Sequence, residues 1–255
     1  MAIRQESPGR WHGELPASPW LDEIVDRIDA DLRVLTVLLT GSWAHGMATE
    51  HSDVDLIVVL SRDELSSRRF SHGVVDVHTV TLERLRHIPP EPGRWWDRYF
   101  YCRARPVLDH TDGHVPSLVT AWACLSPPEV FACIDFHLEG YLHYLYRSLK
   151  SHRESRARLA RLDACESLPW ALALAFGAHG RVRPINKYVA WELEHHPIEE
   201  PGWSAGEVMG LIEAILDTGD ADAQRTLFGL IERKTRQLGF GGVIDSFAGV
   251  QTLRG

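Results

Sequence analysis

Apolar residues change their spacing along this chain. In the first half they come in short runs closed by turn residues. Val34 to Leu39 ends in Thr40-Gly41-Ser42, Leu56 to Leu60 follows Ser52-Asp53-Val54-Asp55, and Val74 to Val80 is rich in strong β-formers. Such runs predict strands near 33–40, 53–60 and 73–80, and a further one at Arg105–Leu108, closed by the turn Asp109 to Gly113. Ahead of them, Ser18-Pro19 opens a helix to about Leu32, with Leu21, Ile24, Val25 and Ile28 on one face. Residues 1–16 read as a loose arm, and the stretch from Thr81 to His87 as a short helix. From about Val115 onward the period is helical throughout. Pro127-Pro128 precedes a long helix from Glu129 to about His152, followed by helices near 154–178 (kinked or broken at Pro169), 184–195, 204–217 and 220–238. Gly180, Gly219 and Gly239 are the expected stops. Strands first and helices afterwards make a segregated α+β chain, not an alternating doubly wound one. The reading places a short mixed sheet with flanking helices at residues 1–122 and an all-α helical bundle at 123–255.

Composition then narrows the function. At 255 residues, 44% hydrophobic and 24% charged, the chain is long enough for two modest domains of a soluble protein. A formal net charge of −8 disfavours a nucleic-acid substrate, which calls for a basic groove, and suits a small cationic one. The opening MAIRQESPGRWHGELP has no apolar stretch suited to a secretory signal, and no run reaches transmembrane length, so the cytoplasm is the expected compartment. Cys102, Cys124, Cys133 and Cys165 form no CxxC pair and read as reduced, mostly buried thiols. The fourteen histidines show no metal-ligand spacing, and His195-His196 before a proline reads as a helix end.

The chemistry concentrates at two neighbouring strand ends. Ten residues separate Ser42 from Asp53, and Asp53-Val54-Asp55 opens the second apolar run. Side chains alternate along a strand, so Asp53 and Asp55 point to one face, side by side. Adjacent carboxylates repel unless a cation lies between them, and hard oxygen ligands suit Mg²⁺. The Gly41-Ser42 turn can offer backbone N–H groups and a hydroxyl to phosphate. On the next strand Asp76 and His78 share a face, opposite Val75 and Val77. A strand pairing that sets this segment beside Asp53–Asp55 completes a three-carboxylate cluster.

Gly-Ser, ten residues, Asp-x-Asp, with a strand on either side, resembles the DNA polymerase β-type nucleotidyltransferase superfamily. The likeness is greatest to the two-domain branch that includes aminoglycoside and lincosamide nucleotidyltransferases. It implies an N-terminal catalytic domain over 1–122 and a helical domain over 123–255 that completes a cleft. It further implies that Gly41 and Ser42 contact the phosphates of an NTP, with ATP the expected donor, and that Asp53 and Asp55 bind two catalytic Mg²⁺ ions. Asp76 is implied as a further metal ligand, or as the base that takes the acceptor's proton.

In the helical half, Arg147 and Lys150 lie three apart, on a helix face shared with His143, and are candidates to neutralise the triphosphate. Pro184 suits a first helical turn, which would aim Lys187 and Trp191 along one face; Lys187 is a further phosphate candidate. Some family members use a glutamate four residues before a lysine as base. Here that position holds Tyr146, so the base stays open between Asp76, His143, Glu139 and Glu166. Glu166 interrupts an apolar helical stretch. Arg147-x4-His152 also matches the spacing of helical ribonucleases, which the acidic charge disfavours.

The reading is a Mg²⁺-dependent nucleotidyltransferase that moves a nucleoside monophosphate to a hydroxyl of a small molecule, such as an aminoglycoside-like antibiotic, with release of pyrophosphate. The alternatives are a protein-modifying, AMPylating enzyme of toxin–antitoxin type and a nucleotide-binding regulator without turnover. A monomer and a homodimer are equally compatible with the sequence.

Overall fold

The computed structural model describes residues 19–62, 69–72 and 75–255; the expected N-terminal arm lies outside them. The chain divides into two compact units, Met1–Pro89 with Asp97–Cys124, and Pro90–Trp96 with Leu125–Gly255.

The first unit runs α1 (Pro19–Asp29), β1 (Val34–Thr40), α2 (Gly41–Ala44), β2 (Val54–Leu60), β3 (Arg69–His72), β4 (Val75–Thr81), α3 (Leu82–Leu85), α4 (Tyr99–Cys102), β5 (Arg105–Asp109) and α5 (His114–Ala123). Its five strands form one sheet in the order β3-β4-β2-β1-β5. β2 and β4 are parallel and the other pairs antiparallel, so the sheet is mixed. Strand β3 was not expected from the sequence. Its Arg-Phe-Ser-His carries no apolar alternation, and it is held as an edge by backbone pairing to β4 alone.

Strand alternation gives the sheet two apolar faces. Leu39, Val54, Leu56, Val58, Val75 and Val77 join one core with Val25 of α1. Leu38, Ile57, Val59 and Val80 join the other with Leu85 and with Val115, Val119 and Trp122 of α5. This second face is the one on which the aspartates lie. Nearby, Arg98 is fully buried. Its guanidinium donates to the carbonyls of Trp122, Ala121 and Cys124 at 3.1, 3.3 and 3.0 Å, capping the C-terminus of α5, where a cation meets the negative end of the helix. Trp122 Nε1 donates in turn to the Leu85 carbonyl at 2.6 Å.

The second unit contains α6 (Pro127–Arg153), α7 (Ala157–Gly177), α8 (Val189–His195), α9 (Ala205–Thr218), α10 (Ala221–Gln237), α11 (Gly241–Ser246) and α12 (Val250–Arg254), with 3₁₀ turns at Pro92–Arg94 and Asn186–Tyr188. Ser126 and Glu129 form a capping box that starts α6, and Ser204 and Glu207 form another for α9. On α6, Ile134, Leu138, Tyr141, Leu142, Leu145 and Leu149 recur at three- and four-residue spacing and build the bundle core. Gly140 lets α7 approach closely: a Cβ there would lie 2.6 Å from the Trp170 ring.

Several expectations need correction. Helix α7 is not broken at Pro169, because the neighbouring Leu168, Ala171 and Leu172 are buried and packing outweighs one lost backbone hydrogen bond. Pro184 does not open a helix; a 3₁₀ turn follows it and α8 begins only at Val189. Of the four thiols only Cys133 is buried, and Cys124 is exposed. Among the described residues no helix is long and apolar enough to cross a membrane.

Candidate functional site

Parallel pairing of β2 with β4 sets Asp55 opposite Asp76, while antiparallel pairing of β1 with β2 sets Thr40 opposite Asp55. The register therefore brings the Gly41-Ser42 turn, at the end of β1, and all three aspartates to one end of the central strands. Carboxylate oxygens of Asp53, Asp55 and Asp76 lie within 4.8 Å of one another. Asp53 and Asp76 are exposed and Asp55 is half-buried. Among the described residues, no lysine or arginine forms an ion pair with Asp53 or Asp76. Three clustered carboxylates repel one another, and their all-oxygen donor set is that of a hard divalent cation. The residues present fit such an ion.

The turn is shaped around Asp55. Gly41 has φ +64°, in the left-handed region, and a Cβ on it would fall 1.9 Å from Asp55 Oδ2. Only glycine meets both conditions without strain. Ser42 and Ala44, in the short helix α2, are buried. His45, also buried, closes the turn from below. Its Nδ1 lies 2.7 Å from the Gly41 carbonyl and its Nε2 2.9 Å from the Tyr99 hydroxyl. The carbonyl can only accept, so Nδ1 donates to it; in the neutral ring Nε2 then accepts from the Tyr99 hydroxyl. Thr40 Oγ1 donates to the Phe100 carbonyl at 2.8 Å, a second tie from the turn to α4. The pairing of His45 with Tyr99 was not legible in the sequence. They stand 54 positions apart, and the only local signal was a histidine inside the Gly-Ser motif.

In the helical unit the candidate residues are dispersed and mostly exposed. Arg147 pairs with Asp163 of α7 at 2.9 Å and lies over the Tyr144 ring at 4.5 Å. Glu139 and His143, one helical turn apart, approach to 3.6 Å, and His143 packs edge-on against Phe247. Lys150 is exposed. Glu166, whose place in an apolar stretch suggested burial, is also exposed, because it lies on the face of α7 turned from the bundle core. Lys187 is exposed in the 3₁₀ turn, with its Nζ 5.5 Å from the Tyr188 ring, while Trp191 stacks on His195 in α8.

The sheet thus ends in a Gly-Ser turn beside a cluster of three aspartates able to hold a divalent cation. Residues 21–90 match the family model of the nucleotidyltransferase domain. The N-terminal region thus carries a nucleotidyltransferase domain, of the class that moves nucleoside monophosphates. The chain is also similar in structure to a nucleotidyltransferase-like protein from Exiguobacterium sibiricum 255-15, at 13% identity and a TM-score of 0.45, over 87% of this chain and 75% of that one. No curated protein matches the sequence.

Proposed function

We propose that this enzyme transfers a nucleoside monophosphate, with ATP as donor, to a hydroxyl of a small cationic acceptor such as an aminoglycoside-like antibiotic. The convergence of Asp53, Asp55 and Asp76 at the Gly41-Ser42 turn is the observation that carries the reading. Asp53, Asp55 and Asp76 would hold two Mg²⁺ ions, which supply charge neutralisation to the triphosphate and acidify an acceptor hydroxyl. Gly41 and Ser42 orient the phosphates, and the buried His45–Tyr99 pair keeps that turn in place before substrate arrives. Asp76, exposed at the cluster's edge, is assigned as the group that accepts the acceptor's proton. It is preferred over Glu139, His143 and Glu166 because it already stands among the other two carboxylates. Arg147, Lys150 and Lys187 are proposed as triphosphate contacts, with Arg147 exchanging Asp163 for phosphate. The net charge of −8 supports a cationic acceptor.

Thermal unfolding with each NTP and Mg²⁺, in wild type and Asp53→Asn, tests the donor site. At about a hundred times Kd a ligand adds about 2.7 kcal/mol, a shift of roughly 5–10 °C at this size. We expect a Mg²⁺-dependent shift with ATP that the variant lacks. Without metal, the Asp53→Asn substitution relieves carboxylate repulsion and should stabilise by on the order of 1 kcal/mol. Equal shifts in both proteins would remove the aspartates from the site. Mass spectrometry after incubation with ATP and an aminoglycoside panel then reads the acceptor: a nucleotidylated antibiotic supports the proposal, whereas a nucleotidylated protein selects the AMPylating alternative.

A further inference from the structure

The helical unit contains a cavity of about 340 Å³ that the proposed reaction does not use. That volume falls at the small end of ligand pockets, which span about 300–1,000 Å³. Its walls are largely apolar, with Trp95, Trp96, Val182, Pro184 and Ile185 among the lining residues. Trp95 is buried, whereas Trp96 is 71% exposed. Four polar side chains also line the cavity: His137, Arg181, Arg183 and Asn186.

Their charges do not cancel. Arg181 is neutralised, since it donates to Glu192 Oε2 at 2.6 Å and to the His196 carbonyl at 2.6 Å. His137 donates from Nδ1 to the Cys133 carbonyl at 2.7 Å. Burial holds it below the ordinary histidine value, and the nearby Arg183 charge lowers it further, so it is neutral at pH 7. Arg183 is the exception. Among the described residues no carboxylate pairs with it. Its Nη2 donates to Asn186 Oδ1 at 2.8 Å, and its Nε is buried without a hydrogen-bond partner. A guanidinium has five N–H donors and stays protonated, so a half-buried one with a single neutral acceptor is under-satisfied. Its buried Nε–H is unfavourable while it has no acceptor, and the charge itself has no carboxylate partner among the described residues.

We propose that this cavity binds a small monocarboxylate with a flat, apolar body. The carboxylate accepts from Arg183, and the body lies against Trp95 and Trp96. One uncompensated cation in apolar walls fits one negative charge. It does not fit a triphosphate, which calls for several cations, nor an aminoglycoside, whose charge has the same sign. The inference rests on the helical unit alone and is independent of the proposed reaction.

Isothermal titration of the full chain with 1-naphthoate and its neutral isostere 1-naphthamide tests it, in wild type, Arg183→Gln and Trp96→Ala. We expect saturable 1:1 binding of naphthoate to wild type, at least about tenfold tighter than naphthamide, the effect of one charge-assisted hydrogen-bonded pair. Arg183→Gln should abolish that preference, Trp96→Ala should weaken both ligands, and excess inorganic phosphate should not displace naphthoate. Equal affinity of wild type for the acid and the amide, displacement by phosphate, or no saturation in the millimolar range would each overturn the proposal. Wild type and the exposed Trp96 position decide the matter even where Arg183→Gln fails to fold.

Discussion

The strand ends of the first unit and the long helices of the second handle charge in opposite ways. At the strand ends, three carboxylates are held within 4.8 Å of one another, and among the described residues no basic side chain is paired to Asp53 or Asp76. Across the helical unit, opposite charges find each other: Arg147 pairs with Asp163, Arg181 with Glu192, and Lys234 with Glu200. The first arrangement is unfavourable in the folded protein by itself and is kept in place by the sheet that carries it. The second satisfies the fold locally. Clustered like charge on a rigid element marks a place that expects a ligand, whereas paired charge on a helix face is usually part of the scaffold. Arg183, a single cation without a carboxylate partner among the described residues, shares with the aspartates the lack of a compensating charge.

The comparison is broken most directly at Asp55. Asp55→Asn should lower turnover by about 10³-fold with the far-UV circular dichroism unchanged, because it removes a charge the transition state requires. Glu139→Gln, His143→Gln and Glu166→Gln should each leave turnover of the same order as wild type. A loss in any of these as deep as that of Asp55→Asn would move the base to the helical unit.

Arg98→Met tests how far the scaffold of the first unit depends on one buried cation. Removing it strands three carbonyls at the end of α5, and urea unfolding should show a loss of about 3 kcal/mol. A loss below about 1 kcal/mol, on the same scale as an exposed pair, would show that water replaces the cap.

Gly41→Ala is expected to have a smaller effect on stability, about 1–2 kcal/mol from the left-handed backbone. It should abolish the Mg²⁺-dependent thermal shift all the same, since the new methyl displaces the Asp55 carboxylate. Retention of that shift would mean that Asp55 need not lie against the turn.

Asp109 gives the smallest and the most pH-dependent effect. Burial raises its pKa, but hydrogen bonds from Thr111, Thr36 and the Gly113 amide outweigh it and hold the carboxyl below its ordinary value of 3.8. A depressed carboxylate stabilises the fold fully above its unfolded pKa, and the contribution disappears as pH falls through the folded one. Wild type should therefore exceed Asp109→Asn in stability by about 1 kcal/mol at pH 7. The gap should close only below about pH 4. A gap that is constant down to about pH 2 would point to shape, not ionisation.

Much of the first unit was legible because its signals are short-range. Val34–Leu39, the Gly-Ser turn and the Asp-x-Asp opening of β2 each lie in a window of a few residues, and the two-residue alternation alone puts Asp53 and Asp55 on one face. Asp76 was visible as an acid on a β-rich segment. Its pairing opposite Asp55 was not, because the intervening β3 and the parallel crossover leave no trace in the alternation. Helix faces were harder. A 3.6-residue period says which residues share a stripe but not which stripe meets the core, so Glu166 was read as an interruption of a buried face and is exposed.

The sequence by itself determined the order of elements, the change from strand to helical period, and the residue types at the turn and the strand ends. Those follow from backbone geometry and the burial preference of single side chains, which act between near neighbours. Only the tertiary structure decided that three carboxylates meet, that His45 and Tyr99 lock the turn, that Arg98 caps α5, and that Arg183 lines a cavity without a carboxylate. Each of these depends on which distant segments pack together. That is set by the summed burial of whole faces, and no local pattern encodes it.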